Sequence, residues 1–156
     1  ILHWLSEAPE TWALPIVWDC HAYASPETLR LIEGMVDCYV PDFRYGNEAC
    51  AIDLSEAPGY PDIAARAIQT MLQQHVPVIV RILALPGHME CCHVPALQQL
   101  ARMNAPNLTG SIRGQYCPEW RIAAEDGVMA QRVPAEDLKR LTVAVRQWES
   151  RINTLT

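Results

Sequence analysis

The chain has 156 residues, half of them hydrophobic, and a formal net charge of −6 at neutral pH. A chain of this length can bury one sizeable core, so its composition does not require a second domain. The acidic balance argues against a general nucleic-acid or anionic-membrane surface, because such surfaces need clustered positive charge. No apolar run reaches the roughly 20 residues that cross a bilayer. We therefore expect a cytoplasmic protein that binds neither nucleic acid nor membrane.

The chain alternates short apolar runs with amphipathic stretches, which is typical of a parallel sheet with crossover helices. The predicted strands are residues 15–18, 36–40, 76–85 and 107–113. An opening helix runs from Ile1, and the predicted helices after it are residues 25–34, 63–72, 94–103 and 138–152. The longest strand is nearly all apolar and β-branched, as expected for a strand covered on both faces. Residues 123–134 have little pattern, which indicates a surface loop.

These elements predict an α/β fold, a partial TIM-like half-barrel of about four parallel strand–helix units. Four units are too few to close an eight-stranded barrel, and they leave unpaired strand edges. The sequence also begins within an apolar helical pattern at Ile1. We therefore expect residues 1–156 to be the C-terminal half of a larger barrel, without its N-terminal half, and expect the isolated half to self-associate through its open edges.

Polar side chains follow every predicted strand, where parallel α/β folds form their sites. In chain order they are Asp19 and His21, Asp42 and Arg44, His88 and Glu90, and Gln115 and Tyr116. For any one of them, a turn-forming or capping role is the simpler interpretation. Arg81 differs, because a charge within a buried strand is costly unless it is paired. We expect it to contact Asp19, Asp42 or an anionic ligand.

The six cysteines give no recognisable metal motif. They are Cys20, Cys38, Cys50, Cys91, Cys92 and Cys117. The chain contains no C-x-x-C pair, and the adjacent Cys91 and Cys92 cannot easily place both sulfurs on one tetrahedral ion. Since the core is large enough without disulfides, the pattern favours reduced cysteines that are structural or incidental.

Four segments together resemble a known family. They are Trp18 to Tyr23, Val40 to Gly46, Arg81 to Cys92, and Gln115 with Tyr116. In order and spacing they resemble the second half of radical S-adenosylmethionine proteins similar to pyruvate formate-lyase activating enzyme. The likeness is to the uncharacterised branch that carries P-D-F-K-Y-G and L-P-G-H-x-E-C-C segments. It extends over about Leu2 to Trp120, and the combined pattern is more specific than any one segment.

The resemblance implies a partial barrel that binds a 4Fe–4S cluster through a C-x-x-x-C-x-x-C loop, and S-adenosylmethionine on that cluster. Reductive cleavage of the cofactor would yield a 5′-deoxyadenosyl radical that abstracts hydrogen from a glycyl-radical enzyme or another substrate. The implied electron donor is flavodoxin or ferredoxin. The cofactor-binding residues that we carry over or predict are Asp19, His21, Asp42, Arg44, Arg81, His88 and Gln115.

Within that set the resemblance implies particular roles. Asp19 and Asp42 would hold a monovalent cation beside the cofactor's carboxylate, assisted by the backbones of Cys20 and Val40. Arg44 would stand where the family has a lysine near that carboxylate, and Arg81 and His88 would line the cofactor or substrate cavity.

The sequence also departs from the family. The cluster loop and the following G-G-E segment are absent, and His21 and Ala22 stand where the family has Asn and Gly. We therefore expect the chain alone to bind neither cluster nor cofactor, and assign it no catalytic residue. Two alternatives stay open. One is a non-catalytic half-barrel that acts as a binding or assembly module, and the other is a barrel hydrolase with Asp19, Asp42 and His88 as metal ligands.

Overall fold

Four parallel strands form one sheet in the computed structural model, which describes residues 3, 6–9 and 11–149. The strands are β1 (Val17–Cys20), β2 (Cys38–Pro41), β3 (Val78–Leu83) and β4 (Leu108–Arg113). They lie side by side in chain order, so β1 and β4 are the sheet edges. This confirms the predicted α/β fold of four parallel strands with interleaved helices, a partial-barrel unit. The predicted opening helix, apart from residue 3, and Ile152 lie outside the described residues.

Within the described residues, five helices connect and cover these strands. They are α1 (Pro26–Arg30), α2 (Glu48–Ser55), α3 (Tyr60–Gln73), α4 (Val94–Met103) and α5 (Ala135–Glu149). A π-helical turn, Met89–His93, leads directly into α4, and two short 3-10 turns lie at Ile122–Ala124 and Val128–Ala130. None of the described helices combines the length and apolar character that crossing a membrane requires.

The core lies between the sheet and the helices. Val78, Val80 and Ile82 on β3 are completely buried, as are Ile68 and Met71 on α3. The opposite face of β3, which carries Arg81, is half-buried. The expected covering of β3 on both faces is therefore complete on one face and partial on the other.

The strand register aligns the carboxyl ends of the sheet. Asp19 pairs with Val40 across β1 and β2, and an isolated parallel bridge joins Asp42 to Arg81. Arg81 in turn lies opposite Ser111 on β4. Polar residues that follow these strands are therefore brought to one edge.

Some boundaries differ from the sequence predictions. The strand predicted at residues 15–18 is Val17–Cys20, because Pro15 has no amide hydrogen and the Ile16 amide donates to the Asp37 carboxylate instead. The helix after Ser25 ends at Arg30 and continues as a turn, with Gly34 in the left-handed region at φ 79°. Helix α2 was not predicted at all. It begins at Asn47, whose side chain accepts from the Cys50 amide at 2.8 Å.

Candidate functional site

The side chain of Arg81 joins the ends of β1 and β2. Its Nη1 and Nη2 donate to the two carboxylate oxygens of Asp19 at 2.9 and 2.6 Å, and its Nε donates to Asp42 at 2.7 Å. Burial alone lowers the pKa of the guanidinium, but the bonds and charges of Asp42 and Asp19 raise it above its ordinary value. The expectation that this buried-strand charge contacts Asp19 or Asp42 is confirmed, since it contacts both.

Asp42 is the centre of this cluster. Besides Arg81, its carboxylate accepts from Arg44 Nη2 at 2.9 Å and lies 3.8 Å from His21 Nδ1. Its backbone amide donates to the Cys20 carbonyl at 2.8 Å, so the residue prolongs the ladder past the end of β2. The Asp42 side chain is 13% exposed, and a carboxylate at this depth needs cationic partners. The Asp42 carboxylate therefore lies beside Arg44, Arg81 and His21. Arg81 in turn connects it to Asp19.

Tyr60, which the sequence analysis did not single out, connects the loops after β1 and β2. Its hydroxyl lies 2.9 Å from the Asp42 carbonyl oxygen and 3.1 Å from that of His21, and it accepts from the Arg44 amide at 2.9 Å. Burial raises the pKa of Tyr60 far above its ordinary value, so the phenol keeps the proton that it donates. The tyrosine opens α3, and no sequence signal distinguishes it from an ordinary core aromatic.

A pocket of about 230 Å³ opens beside the Asp42 cluster. Its lining consists of Asp42, Arg44, Arg81, Leu83, Arg113 and Gln115. We call this the arginine pocket, since three guanidiniums face it. Asp42 and Asp19 neutralise two of these charges at most, so the pocket has an excess of positive charge that favours an anion.

Several donors that belong to residues lining the arginine pocket have no partner among the described residues. The Nε of Arg44 is buried and has no hydrogen-bond partner among the described residues. Arg113 and Gln115, which lie at the end of β4 and just beyond it, are exposed and make no side-chain hydrogen bond or ion pair within the described part of the chain. A guanidinium binds a carboxylate or phosphate with two parallel hydrogen bonds, so the available donors suit such a group.

A second pocket of about 220 Å³ shares Arg44 with the arginine pocket. It is lined largely by apolar and aromatic groups, from His21, Tyr23, Arg44, Tyr45, Ser55, Ala57 and Tyr60. The rings of Tyr23 and Tyr60 stack at 5.9 Å, and Tyr45 meets Tyr60 edge-on at 5.4 Å. We call this the aromatic pocket. Arg44 thus lines both the charged pocket and the largely apolar one, and His21 lines the second.

The loop after β3 contributes less than the sequence indicated. His88 Nδ1 lies 2.8 Å from the Pro86 carbonyl oxygen, and the residue lines neither pocket. Glu90 forms an ion pair with Arg140, and the Tyr116 hydroxyl donates to the Met129 carbonyl at 2.7 Å. The turn interpretation is therefore favoured for His88, while Gln115 is brought to the arginine pocket.

The described residues contain no group of three or more His, Cys, Asp or Glu side chains arranged to hold a metal ion. Asp19 and Asp42 both accept hydrogen bonds from Arg81, whose guanidinium lies where a cation shared by the two carboxylates would lie. A monovalent cation does not fit this arrangement. The hydrolase alternative also loses its ligand set, since His88 stands apart from the two aspartates.

No protein-family model matches the chain. An uncharacterised protein of the archaeon Methanocaldococcus jannaschii is 32% identical over 127 residues, which is 81% of this chain and 36% of that protein. The chain therefore spans little more than a third of the length of this relative.

Proposed function

We propose that this chain is the cofactor-binding part of a radical S-adenosylmethionine protein similar to pyruvate formate-lyase activating enzyme. The observation that carries the proposal is the convergence of Asp19, Asp42, Arg44 and Arg81 at one sheet edge. These residues come from the segments on which the family resemblance rests. When bound, the cofactor and its cluster would supply the radical chemistry, and the residues here would bind and orient the cofactor.

The two pockets suit the two ends of such a ligand. Arg44 and Arg113 offer guanidinium donors for the methionine carboxylate, and Gln115 offers an amide. Asp42 holds Arg44 in place through the 2.9 Å ion pair. The aromatic pocket, which Arg44 also lines, offers aromatic rings for a flat apolar group. This division of polar and apolar surface is usual for a site that binds a small molecule.

The 4Fe–4S cluster does not fit the residues present here, because the described cysteines form no metal-binding group. The proposal therefore needs a cluster loop elsewhere in a longer polypeptide. The longer relative is compatible with that requirement, since this chain covers 36% of its length. A glycyl-radical enzyme as substrate, flavodoxin or ferredoxin as electron donor, and a cytoplasmic location belong to the same proposal.

The test uses a longer polypeptide that includes an in-frame C-x-x-x-C-x-x-C loop, reconstituted anaerobically with iron and sulfide. We expect it to cleave S-adenosylmethionine under reduction and release 5′-deoxyadenosine. Substituting Arg44→Ala should weaken cofactor binding about tenfold, which corresponds to roughly 1.4 kcal/mol. Arg140→Ala, which alters an exposed ion pair with Glu90, is the matched control. Unchanged cofactor affinity in the Arg44 variant would contradict the site.

The chain alone provides a second test. Reconstituted in the same way, it should not retain a stoichiometric 4Fe–4S cluster, because no three of its cysteines are spaced as a cluster loop. Iron and sulfide analysis measures this. About four irons for each chain in a stable complex would show that the cysteines present here hold a cluster, and would contradict the proposal that the cluster residues lie elsewhere.

A binding or assembly module is the second candidate, and the open edge of β1 favours it. Val17 on that strand is 57% exposed, and an unpaired edge of this kind can accept another strand. On either proposal the isolated chain should self-associate, which light scattering over a concentration series measures. If the longer polypeptide binds no S-adenosylmethionine while the chain forms a defined complex, the module is the better proposal.

A further inference from the structure

Three cysteines from two distant segments meet beside the candidate site. Cys50 lies in α2, whereas Cys91 and Cys92 lie in the π-helical turn after β3. The sulfurs of Cys50 and Cys91 are 3.7 Å apart, which is van der Waals contact. Cys50 is nearly buried, Cys92 is completely buried and Cys91 is exposed. The pair that is in contact therefore has one member within reach of small reagents in solvent.

Asn47 holds the two segments together. Its Oδ1 caps α2 by accepting from the Cys50 amide at 2.8 Å, and its Nδ2 lies 3.3 Å from the Cys50 sulfur. The same Nδ2 also donates to the carbonyl oxygen of Cys91. The Gly46 amide donates to the sulfur of Cys92 at 3.2 Å. The side chain of Asn47 thus holds the backbone of Cys91 beside the first turn of α2, where the sulfurs of Cys50 and Cys91 are in contact.

We propose that Cys50 and Cys91 form a redox-active dithiol that a peroxide converts into a disulfide. The Cys91 thiolate attacks one oxygen of hydrogen peroxide, so that the O–O bond breaks, Cys91 becomes a sulfenic acid, and hydroxide leaves to be protonated to water. Cys50 then attacks the Cys91 sulfur, forms the S–S bond and releases the second water. Two thiols and one peroxide give one disulfide and two waters, and the two electrons lost by sulfur reduce the peroxide.

Two of the other thiols, Cys92 and Cys117, are suited to be spectators. Burial raises the pKa of Cys92 to about 12, so it stays protonated and unreactive near neutral pH. Cys117 lies far along the chain beside Arg132 and has no neighbouring cysteine within the described residues. A metal site is the other chemistry that three thiols suggest, but the described residues form no metal-binding group.

The disulfide would tie together the segments that follow β2 and β3. Cys50 lies six residues beyond Arg44, and Cys91 follows the turn that ends β3, so the link would fix α2 against the loop beside the arginine pocket. It would close a 41-residue separation along the chain. Closing a loop of this size restricts the unfolded chain, so oxidation should raise the melting temperature by roughly 5 °C or more.

The experiment treats the reduced, anaerobically purified chain with a small molar excess of hydrogen peroxide. We expect two of the six thiols to be lost by titration under denaturing conditions, a mass decrease of about 2 Da, and a Cys50–Cys91 peptide after proteolysis. Dithiothreitol should restore all six thiols. Cys50→Ala and Cys91→Ser should each abolish the disulfide, while Cys117→Ser, the matched control, should retain it.

The pH dependence of the rate is a second measurement. Burial also raises the pKa of Cys91 above its ordinary value, so little thiolate exists at pH 7 and oxidation should accelerate by roughly tenfold between pH 7 and pH 8. The proposal is overturned if peroxide leaves all six thiols reduced, or if the linked peptide contains Cys117 in place of Cys91. It is also overturned if either variant, still folded by circular dichroism, loses two of its five remaining thiols to a disulfide. None of these outcomes depends on S-adenosylmethionine binding.

Discussion

The ends of β1, β2 and β3 differ from the end of β4 in how their charges are satisfied. At the first three ends, Asp19, Asp42, Arg44 and Arg81 are joined by ion pairs of 2.6–2.9 Å. At the end of β4, Arg113 projects an exposed guanidinium that has no partner among the described residues. The paired charges form a rigid base, and the unpaired one is available to a ligand.

Burial explains the difference. The Asp42 side chain is 13% exposed, and a charge at that depth is stable only with partners. Arg113 is exposed and keeps its hydration, so the fold does not require an ion pair there. Substitutions at the ends of β2 and β3 should therefore change stability, and substitutions at the end of β4 should change binding.

The largest effect on stability is expected at Gly46, where the loop after β2 packs against the π-helical turn and α4. A Cβ at Gly46 would overlap the Cys92 carbonyl oxygen and the Ala96 amide, both of which are backbone atoms that cannot move aside. Gly46→Ala should therefore cost about 3 kcal/mol or more, measured by urea denaturation. Gly127→Ala is the control, because no atom lies within 4 Å of the position that its added methyl group would take. Equal stability of the two variants would contradict the packing of this segment.

The next largest effect on stability is expected at Asp42, and it should exceed that at Asp19, the other carboxylate that binds Arg81. Asp42→Ala removes a 13% exposed partner of both Arg44 and Arg81, and should cost about 2 kcal/mol of unfolding free energy. Asp19→Ala removes a carboxylate that is 58% exposed, and should cost less than about 1 kcal/mol. Chemical denaturation measures the loss of unfolding free energy in both variants. A larger loss of unfolding free energy in Asp19→Ala would contradict the assignment of Asp42 as the centre of the cluster.

Much of this arrangement could be predicted from the sequence. The bounds of α4 agree because Pro95 marks its first turn and Asn104 adopts the left-handed conformation at φ 43° that ends it. The partners of Arg81 followed from the cost of an unpaired charge in an apolar strand. Both predictions were possible because the chemistry of a single residue limits the structure around it.

Other features depend on how distant segments lie against each other. Helix α2 has no clear apolar stripe, so it gave no periodic signal. Tyr60 acts on the Asp42 carbonyl 18 residues away, and Cys50 meets Cys91 across 41 residues. His88 follows a strand like the other predicted site residues, but its ring bonds to its own turn. Residue type and spacing do not determine such contacts, because they depend on the tertiary structure.

A smaller effect on stability, which depends on pH, is expected at His93 in the π-helical turn after β3. His93 is 1% exposed, and its Nε2 accepts from the Leu85 amide at 2.8 Å. Burial lowers its pKa below the ordinary value of 6.5, so the unfolded chain binds a proton more readily than the folded one. Its contribution to stability is complete above about pH 6.5 and is lost as the pH falls below that value, by at most about 1.4 kcal/mol for each pH unit.

The measurement compares the wild type with His93→Gln, which keeps an acceptor but does not titrate, between pH 7.5 and 5.5. Asp137 and His88 are its titratable neighbours, and they are retained in both proteins. The wild type should lose more stability than the variant on acidification. Replacing the exposed His75 with Gln is the control and should leave the profile unchanged. Parallel profiles for wild type and His93→Gln would show that the buried ring does not contribute.

The smallest effect on stability is expected for Arg113→Ala, at the unpaired end of β4. Because the side chain is exposed and makes no ion pair with the described residues, the unfolding free energy should change by less than about 0.5 kcal/mol. In the longer, cluster-containing polypeptide the same substitution should weaken S-adenosylmethionine binding about tenfold, since it removes a guanidinium from the arginine pocket. Titration calorimetry and thermal melts of one preparation measure both quantities, with the exposed Arg102→Ala as control. A lowered melting temperature with unchanged affinity would mean that Arg113 supports the fold. The end of β4 would then contribute to stability, as the ends of β1, β2 and β3 do, and not to binding.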